Sequence, residues 1–387
     1  MVVRAPARLT PTFPMMRVRP DCASLCPMRT LGLLLLLATW PAAGAGWEGR
    51  LRLQAGEEFD SNATRVNQPT VADGVHRLLL DASAGFASGA HWLGLSLQAG
   101  GKLFYTQSSE NQAAWRLQGR WSWAATPHLA LEVGLRWHET VLEVHDRDYR
   151  LLEGRAGIAW RLSATARLQA WAGGRWFYFK PDDYFDYELQ FSNAGPLAGL
   201  QLRLDTGEGV SSYLFYTFGL GLYPSVARRL RDQLVVAGDS RRLDMVHAAG
   251  MRVRQRISLA RSVHLLLELG YVLAVTDTNS YGSAALRHRL QLLLGLQLPA
   301  GIGLQLLGRL QFTDFRDGVY LEGDLYEPEA DENENSLVIR LRVPLLAGVS
   351  AWAQGALFRN DFQSSQIEVN GFRRWTALAG LAYQLEL

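Results

Sequence analysis

From residue 113 onward the chain alternates. Trp115, Leu117, Gly119, Trp121 and Trp123 fall on one parity, and Arg116, Gln118, Arg120 and Ser122 on the other. Thr126-Pro127 interrupts the run. It resumes with Leu129, Leu131, Val133, Leu135 and Trp137 against His128, Glu132, Arg136 and His138. Successive side chains of a strand point to opposite faces, so a period-two run of about ten residues is a strand with one wet and one apolar face. If such strands close into a barrel in lipid, the apolar face is outside and the wet face lines the lumen.

The pattern recurs along the chain. It predicts strands near 47–59, 74–87, 91–105, 113–124, 128–138, 150–162, 166–179, 189–205, 210–225, 242–257, 263–275, 284–298, 302–313, 336–346, 349–358 and 371–387. The connections alternate in length. Short ones lie near 88–90, 125–127, 163–165, 206–209, 258–262, 299–301 and 347–348. Long ones lie at 60–73, 106–112, 139–149, 180–188, 226–241, 276–283, 314–335 and 359–370. Short turns at one rim and long loops at the other are the habit of outer-membrane barrels, and a soluble sandwich or propeller has no reason to show it. The expected fold is all-β: a transmembrane antiparallel up-and-down β-barrel of about 16 strands, with both termini at the periplasmic rim.

One segment invites a helical reading. Leu290 to Gly308 carries no charged residue, and about 20 apolar residues span a bilayer as a helix. However, Gln291, Gln297 and Gln305 fall on one period-two face, and Pro299-Ala300-Gly301 sits between them. A hairpin explains both features.

Composition narrows the class further. With 48 % apolar residues in 387 the chain is not disordered. It lacks the repeated 20-residue apolar runs of a helical membrane protein. The N-terminus reads as a leader. Met28-Arg29-Thr30 precedes a leucine-rich run from Leu31 to Ala38, and Ala43-Gly44-Ala45 supplies small residues for cleavage. The expected division is a signal-peptide region over 1–45, with the true start at Met28, and a barrel over 46–387. Cys22 and Cys26 leave with the leader, so no disulfide, thiolate metal site or cysteine nucleophile is expected in the barrel. Five arginines and one aspartate leave too, turning the formal +2 into a small net negative charge. Nucleic-acid binding is therefore not expected.

Two segments resemble known barrels. Gly380-x-x-Tyr383-x-Leu385, ending at Leu387, is similar to the signal with which Gram-negative barrels present their last strand to the barrel assembly machinery. Here the polar slot holds Leu378 and the terminal residue is not aromatic. Phe59-Asp60-Ser61-Asn62-Ala63-Thr64-Arg65 resembles a stretch near the start of barrels in polysaccharide exporters and lipoprotein-export proteins, which implies export. As plain chemistry, Asp, Ser and Asn there bond their own backbone and turn the chain.

Enzymatic signals are missing. The eight histidines include no H-E-x-x-H pair, and there is no G-x-S-x-G or P-loop. Tyr105-Thr106-Gln107 resembles a tripeptide of outer-membrane phospholipases, but Asp60-Ser61-Asn62 lacks the adjacent His and the Gly those enzymes also use. Neither a cofactor nor a metal is expected. The acidic stretch 314–335 has no calcium-loop spacing and reads as a solvated loop.

Charge segregation carries the functional expectation. The long connections hold 25 of the 36 acidic residues beyond position 45 and only 9 of the 34 basic ones. A base facing lipid at the midplane costs ~2–4 kcal/mol, so strand bases must point inward or sit at a rim. Expected lumen bases are Arg77, Lys102, Arg116, Arg120, Arg136, Arg155, Arg161, Arg167, Arg175, Arg203, Arg252, Arg254, Arg287, Arg289, Arg309, Arg340 and Arg342. Expected inward acids are Asp81, Glu132, Asp205 and Glu268. The leading expectation is a porin-sized outer-membrane channel with a cationic lumen, passing small anions or an acidic polysaccharide. The other is a non-conducting docking barrel of an envelope complex, plugged by acidic loops such as 226–241 or 314–335. Expected partners are outer-membrane lipid and lipopolysaccharide, the barrel assembly machinery, and periplasmic export or envelope proteins.

Overall fold

A computed structural model describes residues 46–64, 69–145, 148–180, 191–207, 209–232, 234–316, 335–360 and 372–386. The expected leader, with Met28, Cys22 and Cys26, lies outside the described residues. So do most of the acidic stretch, 317–334, and the terminal Leu387.

The strands are β1 (Gly46–Asp60), β2 (Asp73–Ser88), β3 (His91–Phe104), β4 (Gln112–Ala124), β5 (Leu129–Leu142), β6 (Tyr149–Arg161), β7 (Ala166–Phe179) and β8 (Asn193–Gly207). They continue as β9 (Val210–Arg231), β10 (Leu234–Ala260), β11 (Val263–Thr278), β12 (Ala285–Gln297), β13 (Gly303–Phe315), β14 (Asn335–Leu346), β15 (Val349–Asn360) and β16 (Phe372–Glu386). Each pairs antiparallel with its sequence neighbours, and β1 pairs with β16, so the sheet is a closed barrel. Sixteen strands about 4.8 Å apart, tilted roughly 40°, give a backbone cylinder of roughly 16 Å radius.

Except at β9 and β10, strand ends lie within four residues of the expected positions. The segment 290–308 is a hairpin, with Pro299–Gly301 as its turn. The expected loop 226–241 is not a loop. It is the continuation of β9 and β10, paired out to Arg231↔Leu234, with Asp232 in the left-handed region (φ 51°) at the tip. Asp tolerates that conformation better than most residues. Register irregularities between Ala237 and Leu243 separate this arm from the regular wall.

The faces separate cleanly. Paired residues share a face, and tracing the ladders round the barrel places Arg52, Asp81, Gln98, Arg116 and His138 together. On the walls, the nearly inaccessible strand side chains fall with this set: Asp60, Val75, Phe177, Asp244 and Ser350 are all under 2 % or at 2 % exposure. Nothing covers the convex face of a single-layer barrel, so the set faces inward. The opposite parity carries exposed Leu78, Leu135, Trp137, Trp160, Leu269, Leu310, Ile339 and Leu381, the apolar belt of a membrane barrel. Glu139 and Arg150 are an exception near the long-connection rim, where they pair with each other on the outer face.

At the closing seam Gly56 stands opposite Gly380. A Cβ on Gly56 would lie 2.6 Å from the Ala379 carbonyl oxygen, and one on Gly380 would collide with the Ala55 carbonyl. The absent side chains let the first and last strands approach.

The alternation of connections sets a topology that can be tested. In a background with Cys22 and Cys26 replaced by Ser, D232C should react with a membrane-impermeant maleimide on intact cells. S163C, in the β6–β7 turn, should react only after lysis. The opposite pattern would turn the barrel upside down.

Candidate functional site

Alternation along β2 to β14 carries every expected lumen base to the inner face. Arg77 pairs in register with Lys102, Gln98 with Arg116, Gly94 with Arg120 and Gln118 with Arg136. Arg155 stands opposite Gly173, Arg161 opposite Arg167, Glu153 opposite Arg175, and Arg167 opposite Arg203. Arg252 and Arg254 face Gly270 and Glu268. Arg287 and Arg289 face Thr313 and Gln311, Gln291 faces Arg309, and Arg340 and Arg342 face Gln305 and Gly303. The four expected acids share that face.

Part of this wall is internally neutralised. Glu132, only 8 % exposed, accepts from Arg120 at 2.7 Å, Arg167 at 2.9 Å and Gln169 at 2.5 Å. Glu153 accepts from Arg136 at 3.1 Å. Glu268 holds Arg252 at 3.2 Å and Arg254 at 2.6 Å, and Asp205 holds Arg203 at 3.0 Å. These pairs lie along β4–β8 and β10–β11. Their guanidiniums are a third to a half exposed, so each pair adds little to stability but fixes a charged fork against the wall.

Other lumen bases meet neutral side chains. Gln354 Oε1 accepts from Arg340 Nε at 3.0 Å and Nη2 at 2.6 Å, and Arg340 lies 5.9 Å from the Trp352 ring centroid. Ser350 Oγ accepts from Arg342 at 3.1 Å, and Gln311 Oε1 from Arg289 at 2.9 Å. Arg155 lies 5.7 Å from the Trp171 ring.

Towards the long-connection end, buried clusters replace open wall. Arg374 on β16 donates from Nε to Asp60 Oδ1 on β1 at 2.9 Å, its Nη2 lies 2.7 Å from Asp60 Oδ2, and the guanidinium lies 5.2 Å from the Phe358 ring centroid. Glu58 lies 3.8 Å from Arg374 and accepts from Arg77 at 2.5 Å. Ser61 donates to the Trp375 carbonyl, and its hydroxyl accepts from Trp375 N–H at 2.8 Å. The expected Asx turn is present, Asn62 N–H reaching Asp60 Oδ1 at 3.0 Å. The seven-residue stretch thus also latches the seam. Across the mouth, Arg242 pairs with Asp244 at 2.7 Å and covers Tyr223 at 4.2 Å. Leu151, Phe177 and Phe179 form an apolar cluster at the same end. On the outer face, the Tyr105 hydroxyl donates to Glu57 at 2.6 Å, which holds the phenol above its ordinary pKa. His76 meets the same carboxylate at 2.6 Å.

Sequence reasoning missed several inward groups. Arg50, Arg52 and Glu58 on β1, Glu153 on β6, Arg256 on β10 and Arg374 on β16 all lie on the inner parity. Applying period two to β1, β6, β10 and β16 as strictly as to β4 and β5 would have found them. Among the described residues no group of three or more His, Cys, Asp and Glu is placed to hold a metal.

No protein-family model matches the chain, and no curated protein matches it. Solved structures similar to it include OccAB3 of Acinetobacter baumannii (9 % identity, 89 % of this chain and 100 % of that one, TM-score 0.45). OccK2 of Pseudomonas aeruginosa is similar at 13 % identity, 89 % and 100 % coverage and TM-score 0.42. CdiB of Acinetobacter baumannii is similar at 10 % identity, 87 % and 60 % coverage and TM-score 0.48.

Proposed function

We propose that this chain is an outer-membrane channel that passes small anionic solutes through a lumen lined by guanidinium groups. The observation that carries the reading is that all seventeen expected bases fall on the concave face of a closed barrel, where the convex face is an apolar belt. A ring of Arg attracts anions and opposes cations. A cylinder of roughly 16 Å backbone radius leaves aqueous room once side chains are in place. Gly380, Tyr383 and Leu385 on β16 serve, on this reading, as the signal to the barrel assembly machinery. The belt meets outer-membrane lipid and the long loops meet lipopolysaccharide. No catalytic residue, metal or cofactor enters the proposal.

A second reading has its own support. The buried clusters around Asp60, Phe177 and Asp244 crowd the long-connection end of the inner face. A barrel narrowed there could be a non-conducting docking partner of periplasmic export or envelope proteins. An acidic polysaccharide would need this end to open. Of the two segments expected to plug the lumen, 226–241 belongs to the β9–β10 arm instead. Conductance of the purified protein in a planar bilayer decides between the readings: ion current with anion preference supports the channel, and silence under all voltages supports the docking barrel.

A further inference from the structure

The inner wall is unevenly compensated. Along β4–β8 and β10–β11 carboxylates sit among the guanidiniums. Away from the Arg374–Asp60–Glu58 cluster at the seam, no carboxylate among the described residues lies within ion-pair distance of Arg52, Arg340 or Arg342. Arg52 on β1 and Arg340 and Arg342 on β14 flank the strip of wall made by β15 and β16. That strip is neutral: its inward side chains are Ser350, Trp352 and Gln354 on β15 and Leu378, Ala382 and Gln384 on β16, with Gly380 opposite Trp352. The guanidiniums on either side rest on neutral acceptors. Arg340 uses Gln354 and Arg342 uses Ser350. Arg52 donates from Nε and Nη2 to the Gln54 amide oxygen at 3.0 and 2.5 Å, in the amide orientation that satisfies both groups. The basic charges within electrostatic reach of Arg52 are Arg342, Arg340 and Arg50, and Arg77 reaches Arg340. The acid that reaches Arg52 is Asp81, itself held by Gln98 at 3.3 Å.

Like charges gathered around a neutral strip repel one another, and an anion shared among them relieves that repulsion. A guanidinium presents its donors as a planar fork that fits two oxygens of one oxyanion, and one or two donors of each fork are spent on a neutral side chain. We propose that Arg52, Arg340 and Arg342 form a subsite for the oxyanion group, carboxylate or phosphate, of a small solute resting on the β14–β1 wall. The inference rests on the channel reading for how the solute arrives, but binding itself requires no conduction.

Isothermal titration of the purified full chain in detergent tests it, with succinate and inorganic phosphate as the two probes in 50 mM salt. Wild type should take up at least one of them saturably, and the comparison identifies which oxyanion fits. R52Q and R340Q should each weaken binding about tenfold or more. R340K keeps the charge and loses the fork, so it should bind several-fold more weakly than wild type. R150Q, on the outer face, should bind as wild type. R342Q provides a third removal should either glutamine variant lose its folded gel mobility. Absence of saturable uptake of both anions by wild type would overturn the subsite. So would R340K binding as tightly as wild type, since a diffuse field would then suffice. Saturable binding in a protein that passes no current would keep the subsite and remove the channel. Anion-selective current without saturable binding would do the reverse.

Discussion

Arg374→Ala is expected to open the barrel at its seam. The side chain is 4 % exposed, donates to Asp60 Oδ1 and lies 2.7 Å from Oδ2 of that wholly inaccessible carboxylate, while Glu58 stands 3.8 Å away at 1 % exposure. Removing one partner of a buried ion pair leaves the other charge desolvated and uncompensated, at a cost of about 3–5 kcal/mol. Arg77 still serves Glu58, so the loss falls on Asp60. The pair joins residues 60 and 374, on the first and last strands, where failure is failure of closure. The temperature at which the folded band of an unheated gel converts to the unfolded one should fall well below that of wild type. Arg120→Ala is the comparison. Its side chain is half exposed, Glu132 retains Arg167 and Gln169, and the change should cost about 1 kcal/mol or less. Asp60→Asn with Arg374→Gln should recover part of the loss, because it removes both charges together. Conversion of Arg374→Ala at the wild-type temperature would show that backbone pairing alone closes the seam.

That latch also marks where sequence reading stops. Asp60-Ser61-Asn62 is legible as a turn because its chemistry is local, and the Asn62–Asp60 bond is there. Its partner 314 residues away is visible only once β1 and β16 are neighbours. The wall itself was legible for the opposite reason. In a bilayer every strand must show one apolar face, so Trp115 to Trp123 and Leu129 to Trp137 repeat with little freedom, and the side of each Arg follows. The β9–β10 arm was missed because that constraint lapses beyond the apolar belt. Arg228-Arg229 and Val235-Val236 sit side by side there, which breaks period two, yet Val235 and Val236 pair with Leu230 and Arg229 in register. The uneven compensation of the lumen was equally hidden. Glu132 and Arg167 lie on strands two apart, and Arg52 and Arg342 come within electrostatic reach only across the seam.

Inverting the charge on β4 and β5 should reverse the ion preference of the channel. Arg116, Arg120 and Arg136 share the inner face of adjacent strands. Arg120 and Arg136 already oppose Glu132 and Glu153, so R116E/R120E/R136E adds three carboxylates, releases Glu153 and leaves Glu132 with one arginine fewer. The formal change is six unit charges. At 8 Å in water each is worth about 0.5 kcal/mol to a passing monovalent ion, or about 3 kcal/mol together. Screening over ~10 Å in 0.1 M salt cuts this by about half, to roughly a tenfold change in the entry of each ion. The reversal potential across a salt gradient should therefore be anion-type in wild type and move to cation-type in the triple variant. The difference should be large in dilute salt and fade as salt rises. Glu132 in the variant keeps Arg167 and Gln169, which limits the structural damage at that site. A wild-type preference for cations would mean that the seventeen bases do not govern the pore. A triple variant with unchanged reversal potential, in a barrel that still runs folded, would place the selective constriction elsewhere, at the crowded long-connection end where Arg242 covers Tyr223.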